Sequence, residues 1–173
     1  GRGAGRGAKF DVGVADVFPK LLAYRVLAPV FALEPPVRLV CTEDHTETLL
    51  EKLATHQLDL ILADAPVSPG VRVKAYNHLL GVSPVAVFGT APLAKAYKGG
   101  DLEGAPFLLP AAGSSLRRAL DQWFDARGVT PRVVGEFKDT ALLKAFGQAG
   151  AGLFAAPVAV SAEVADTYGV RRL

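Results

Sequence analysis

Apolar residues in this chain arrive in short bursts separated by polar, helix-spaced stretches. Residues 10–15 (FDVGVA) are apolar at nearly every position, the pattern of a strand covered on both faces. Pro19 suits a first helical turn. Beyond it Val17, Leu21, Tyr24 and Ala28 recur at helical spacing, with Leu22, Val26 and Val30 widening the stripe until Pro29 kinks or ends the helix. Residues 37–41 read as a second strand. Asp44 or Thr46 caps the next helix, residues 44–47 (DHTE) fitting a capping box, with Leu49, Leu50, Leu53 and Gln57 on its inner side. A third strand, residues 58–63, stops at Asp64, Ala65 and Pro66.

The stretch 71–88 (VRVKAYNHLLGVSPVAVF) carries two alternating runs, 71–76 and 85–88, parted by Gly81, Ser83 and Pro84, and predicts one interrupted strand passing between two layers. After it the scheme repeats. Residues 106–110 (PFLLP) form a strand, Gly113, Ser114 and Ser115 a turn and N-cap, and Leu116, Leu120, Trp123 and Phe124 an amphipathic helix closed by Gly128. Residues 133–137 are a strand, Asp139 or Thr140 caps a helix through Leu142, Leu143 and Phe146, and residues 152–156 are a strand ended by Pro157. A helix over 158–166 then leads to Gly169 and the run 170–173. That run holds the place in the second half that 71–76 holds in the first, so the repeat predicts a further stretch returning to the first half and a sequence that is part of a longer protein. Alternating strands and helices of this length predict parallel strands with right-handed crossovers, an α/β layer structure.

Composition narrows the class. At 173 residues, 50% hydrophobic and 21% charged, the chain suits one large or two small globular domains. The net charge of +2 and scattered basic residues argue against a nucleic-acid groove; Arg2 and Arg6 stand between glycines in a stretch that reads as a linker over 1–8, with Lys9 just after it. The single Cys41 excludes an internal disulfide, fits a reducing compartment and reads as a buried, inert strand thiol. No apolar run approaches the roughly 20 residues of a membrane span, and no signal-like apolar segment opens the sequence, so the expectation is a cytoplasmic protein without a membrane partner.

In open α/β sheets ligands sit beyond the carboxyl ends of strands, beside helix N-termini. The strand ends here present Asp16 and Val17, then Asp44, His45 and Thr46, then Asp64, then Gly113, Ser114 and Ser115, and finally Asp139 and Thr140. Helix capping alone accounts for Asp16, Thr46, Ser114 and Asp139 as well as ligand contact does. Asp64 precedes Ala-Pro, where no helix calls for a cap, so a ligand or hinge role is favoured. Catalytic signatures are lacking: there is no nucleophile elbow, phosphate loop or C-x-x-C, and His45, His56 and His78 are not spaced as metal ligands. The expectation is a protein that is not an enzyme, with no cofactor and no resident metal. His45 reads as an exposed loop residue, and the glycines of 147–152 as a helix stop.

With residues 58–61 before a turn and 154–157 near the end, the order of elements resembles the effector-binding domain of LysR-type transcriptional regulators, from Lys9 onward. Residues 10–16 (FDVGVAD), 49–64 and 135–147 (GEFKDTALLKAFG) look like the branch that activates sodium/proton antiporter genes. The resemblance implies two Rossmann-like subdomains joined by crossover strands, a periplasmic-binding-protein-like fold of type 2. Subdomain I would span 9–80, lacking its return segment, and subdomain II 81–173. A small molecule or ion would bind in the cleft, with effector contacts at Asp16, Val17, Thr46, Asp64, Gly113, Ser114 and Ser115.

It further implies a homodimer or homotetramer built by pairing helices 19–30 and 115–127, DNA contact only through an N-terminal winged helix-turn-helix not in this sequence, and a link to RNA polymerase. Acidic groups at Asp16, Asp64 and Asp139 suggest a cation or cationic ligand. A solute-binding protein of a transport system, sharing the fold, is the alternative.

Overall fold

The structure is a computed structural model describing residues 7–70 and 73–173. The chain divides into two compact units, Gly1–Leu80 and Gly81–Leu173, both α/β.

In the first unit β1 (Lys9–Ala15) runs parallel to β2 (Arg38–Asp44) on one side and β3 (Leu60–Leu62) on the other, giving the order β2-β1-β3. As the central strand, β1 buries its second half completely, as its unbroken apolar run requires. Two helices cover it: α1 (Lys20–Leu27), continued as a 3-10 turn over Ala28–Ala32, and α2 (Thr46–Ala54). The change of helix type falls at Pro29, which lacks the N–H an α-helix needs there. Gly13 permits close cover. A Cβ at that position would lie 2.8 Å from Leu58 Cδ1 and 2.9 Å from Leu49 Cδ2, so the missing side chain is the space those leucines fill. Val12, Val14, Ala15, Phe18, Ala23, Leu27, Leu49, Leu58 and Leu62 form the core.

Several expectations in this unit change. The buried face of α1 is Ala23 and Leu27, while Tyr24 is 74% exposed: the helix is rotated from the predicted stripe, because its apolar residues run almost around it and periodicity underdetermines the facing side. The second strand continues to Asp44, drawn on by pairing through Ala15↔Asp44, so Asp44 and Thr46 are not a capping box; His45 holds the cap position without a side-chain cap bond, and Thr46 is the first helical residue. Gln57 lies past the helix and is exposed. Cys41 is exposed rather than buried: among the described residues β2 is an edge strand paired with β1, and Cys41 lies in the wall of an open concavity beside α1. The third strand is shorter than its apolar run. His56 closes α2 with φ 58°, its N–H donating to the Leu53 carbonyl at 3.1 Å.

Of the predicted strand at 71–76, Val71 and Arg72 lie outside the described residues. Residues 73–84 are neither helix nor strand, and Tyr76 is 92% exposed, with Leu79, Leu80 and Val82 exposed as well. Alternation makes a strand only where a neighbouring ladder receives its N–H and C=O groups. No such ladder pairs with 73–84 among the described residues.

In the second unit β5 (Pro106–Pro110), wholly buried, runs parallel to β6 (Arg132–Phe137). A separate ladder sets β4 (Val85–Gly89) between β7 (Phe154–Pro157) and β8 (Arg171–Arg172), antiparallel to both. The two are joined at Leu153, which bridges Phe107 in parallel sense: Leu108 N–H donates to the Leu153 carbonyl and Leu153 N–H to the Pro106 carbonyl, each at 2.8 Å. The order β6-β5-β7 thereby repeats β2-β1-β3. The expectation of parallel strands throughout fails at β4, because only strands linked by a helical crossover must run parallel and β4 is reached directly from 73–84.

Helices α4 (Ser115–Arg127), α5 (Thr140–Gln148) and α6 (Ser161–Tyr168) follow their strands as the patterns predict, with Gly128 and Gly169 in the left-handed conformation at the ends of α4 and α6. Helix α3 (Ala91–Ala96) was not expected; Thr90 at its N-cap position, without a side-chain cap bond, and Pro92 in its first turn are its start signals. Phe107, fully buried, meets Phe124 edge-on at 5.2 Å, and Phe154 stacks on Phe88 at 6.0 Å. Burying each such ring contributes about 1.5–3 kcal/mol.

Candidate functional site

In the first unit the carboxyl ends of β1 and β2 are stitched together. The Asp16 N–H donates to the Asp44 carbonyl at 3.0 Å, continuing the ladder one residue beyond β1. The Asp44 carboxylate accepts the His45 N–H at 2.8 Å and lies 4.0 Å from Lys52 Nζ of α2. His45 Nδ1 lies 2.7 Å from Asp16 Oδ2, with side chains 76% and 32% exposed. Asp16 therefore caps no helix: the cap position of α1 is Pro19, which has no side-chain cap bond. Its carboxylate instead fixes the imidazole that opens α2. Val17 beside it packs on the core, Thr46 begins α2, and Asp64 stands exposed in a bend after β3. His45, read as an exposed loop residue, is exposed; its bond to Asp16 was missed, since nothing in the sequence relates residues so far apart.

In the second unit the connection from β5 to α4 is held by two adjacent arginines. Ser114 caps α4, its Oγ accepting the Arg117 N–H at 3.0 Å. Gly113, at φ 99°, has the backbone sign that favours glycine. The Arg118 guanidinium donates outward to the Gly113 carbonyl at 3.0 Å and to Ser115 Oγ at 3.2 Å. Arg117 turns inward: Nη1 donates to the Pro110 carbonyl at 2.9 Å and to Glu136 Oε1 at 2.6 Å, and Nε to both Asp121 oxygens at 3.0 and 3.1 Å. The Glu136 hydrogen bond, more than the burial that opposes it, raises the guanidinium pKa above its ordinary value. Asp139 caps α5, its Oδ1 accepting from the Ala141 and Leu142 N–H groups at 2.8 and 3.2 Å.

Capping thus accounts for Ser114 and Asp139 but not for Asp16 or Thr46. Arg117 and Arg118 escaped the sequence reading. The i,i+4 spacing of Arg117 and Asp121 was a legible signal; the partnership with Glu136, on another strand, was not. Among the described residues no group of three or more His, Cys, Asp or Glu side chains is placed to hold a metal ion, and no helix is long and apolar enough to cross a membrane.

A concavity in the first unit, between α1 and β2, holds about 410 Å³ and is lined mainly by apolar side chains, among them Leu27, Phe31 and Leu39, with Cys41 in its wall.

Two α/β units, repeating one strand order and presenting polar groups where strands give way to helices, have the architecture of a ligand-binding domain of periplasmic-binding-protein-like type. The chain belongs to the LysR substrate binding domain family, whose model matches residues 3–173. It is 36% identical over 148 residues to the transcriptional activator protein NhaR of Escherichia coli (strain K12), covering 86% of this chain and 49% of NhaR. The chain therefore spans about half the length of that curated relative. Among solved structures it resembles a LysR family transcriptional regulator with a TM-score of 0.74 at 14% identity, covering 95% of this chain and 56% of that one. It also resembles the Synechocystis PCC6803 CcmR regulatory domain in complex with 2-PG, with a TM-score of 0.67 at 18% identity, over 96% and 80% of the two chains.

Proposed function

We propose that this chain is the effector-sensing part of a cytoplasmic LysR-type transcriptional activator. It binds a small effector at the carboxyl ends of the strands of its units, through Asp16, Val17, Thr46 and Asp64 in one and Gly113, Ser114, Ser115 and Asp139 in the other. The observation that carries this is the family match over nearly the whole chain, joined by the 36% identity to a named transcriptional activator. The strand-end groups support it chemically: carboxylates, hydroxyls and an imidazole stand where α/β sheets receive ligands. The effector shifts the populations of two conformations, and that shift is passed to a DNA-binding domain in the remainder of the protein and to RNA polymerase. The working form is a homodimer or homotetramer, with α1 of one copy and α4 of another supplying amphipathic faces.

Thermal-shift and calorimetric titration test the reading, with sodium, lithium and calcium salts beside a panel of small organic acids and amines. An effector at a hundred times its Kd stabilises the folded chain by about 2.7 kcal/mol. T46A, D64A and S115A should abolish that response while leaving the unliganded melting point nearly unchanged. If no compound acts beyond ionic strength, or if these variants respond like the parent chain, the proposed site is wrong.

A further inference from the structure

Arg117 does more than close a surface ion pair. The connection from β5 to α4 begins at the Pro110 carbonyl and ends at Ser114, and Arg117 holds both ends: its side chain donates to the Pro110 carbonyl at 2.9 Å, and its own backbone N–H donates to Ser114 Oγ at 3.0 Å. The Arg117 side chain is only 17% exposed, and its direction is set further by Nη1 donating to Glu136 of β6 and Nε donating to Asp121 of α4. The Ala111 N–H donates to the Phe137 carbonyl at 2.7 Å, so the connection is also tied to the end of β6. Both carboxylate partners are about half exposed, and ion pairs of that kind add little to stability. What they secure is direction, because a planar fork with several fixed donors admits one orientation where an ammonium admits many.

We infer that Arg117 is a positioning residue for effector recognition, setting through the Pro110 carbonyl and the Ser114 cap the path of Gly113, Ser114 and Ser115 without touching the effector. This rests on the reading above that those three residues contact effector. A site of this kind works only when its contact groups are held by partners that are themselves fixed.

The test uses the 173-residue chain and four forms of it: parent, R117M, R117K and L120V, the last a packing change elsewhere on α4. Amide hydrogen exchange at Ala111 and at position 117 reports the connection directly and needs no ligand. Exchange at both should quicken roughly tenfold in R117M and less in R117K, while melting falls no further than in L120V. If exchange in R117M rises no more than in L120V, Arg117 is only a stabilising contact and the inference is overturned. Sulfate, followed by the amide resonances of Ser115 and Leu116, is the second probe, and the parent's response should weaken several-fold in R117M while L120V keeps it. A parent chain that ignores sulfate shows that this connection does not receive a small anion, and the exchange result alone then decides the role of Arg117.

Discussion

His45 Nδ1 lies 2.7 Å from Asp16 Oδ2, joining the segment that leaves the central strand of the first unit to the residue that opens α2. Because both side chains reach solvent, the bond adds under about 1 kcal/mol to stability. D16N and H45A should each melt close to the parent chain. Their effect should appear as changed amide chemical shifts at Thr46 and Glu47, the first turn the imidazole fixes. A fall of many degrees in either variant would show that the pair supports the fold itself.

Gly13 tests the packing of the first unit. Its missing Cβ is the space taken by Leu49 and Leu58, so G13A should destabilise by about 1–3 kcal/mol through overpacking, although alanine suits a strand no worse than glycine. Urea denaturation measures it, and G13A combined with L58V should recover part of the loss. No recovery would mean that the backbone, rather than the leucines, resists the methyl group.

The caps of the second unit give a graded pair. S114A removes one acceptor from α4, and D139A removes an acceptor shared by two N–H groups of α5. Each should cost about 0.5–2 kcal/mol, with glycine substitutions milder. Denaturant midpoints read this directly; an alanine variant as stable as its parent would show that water replaces the cap.

The guanidinium of Arg117 holds its proton more tightly in the folded chain than in the unfolded one. A raised folded pKa contributes stability that is complete below the unfolded value and is lost only as pH climbs through the folded one, here beyond the ordinary range of an arginine. The stability cost of R117M should therefore be the same near pH 7 and near pH 10. A cost that shrinks over that interval would mean that another group carries the effect.

Cys41 is exposed on the outer strand β2. One equivalent of a thiol reagent should react with the native chain at a rate within about tenfold of that in denaturant, as befits an accessible thiol. A native thiol that reacts only on unfolding would mean that this face is covered in solution.

Those residues also mark what the sequence could tell. Strand positions were legible where an apolar run was bounded by strong punctuation: PFLLP reads as β5, and Ser114 and Gly128 bracket α4 as they should. Legibility failed where a partner decides. Thr42, Glu43 and Asp44 belong to β2 because β1 pairs with them, and Tyr24 faces outward because Ala23 and Leu27 fit the sheet more closely. The antiparallel sense of β4 depends on which strands receive it, which no local pattern encodes. The candidate positions at strand ends were proposed from the α/β alternation. The bonds that hold them, from His45 to Asp16 and from Arg117 to Glu136, join distant parts of the chain and leave no local trace.

The ladder of β4 has a consequence for how the second unit forms. Among the described residues Val85 to Phe88 pair only with residues of β7 and β8, which follow β5, α4, β6 and α5 along the chain. The first strand of this unit to be synthesised has no ladder to join until β7 has emerged, and long loop closure comes before any pairing is gained. Nascent chains stopped short of Phe154 should hold β5, α4 and β6 as a local module while Phe88 remains in solvent. Protease resistance around Val87 should then arise in one step, with the arrival of β7.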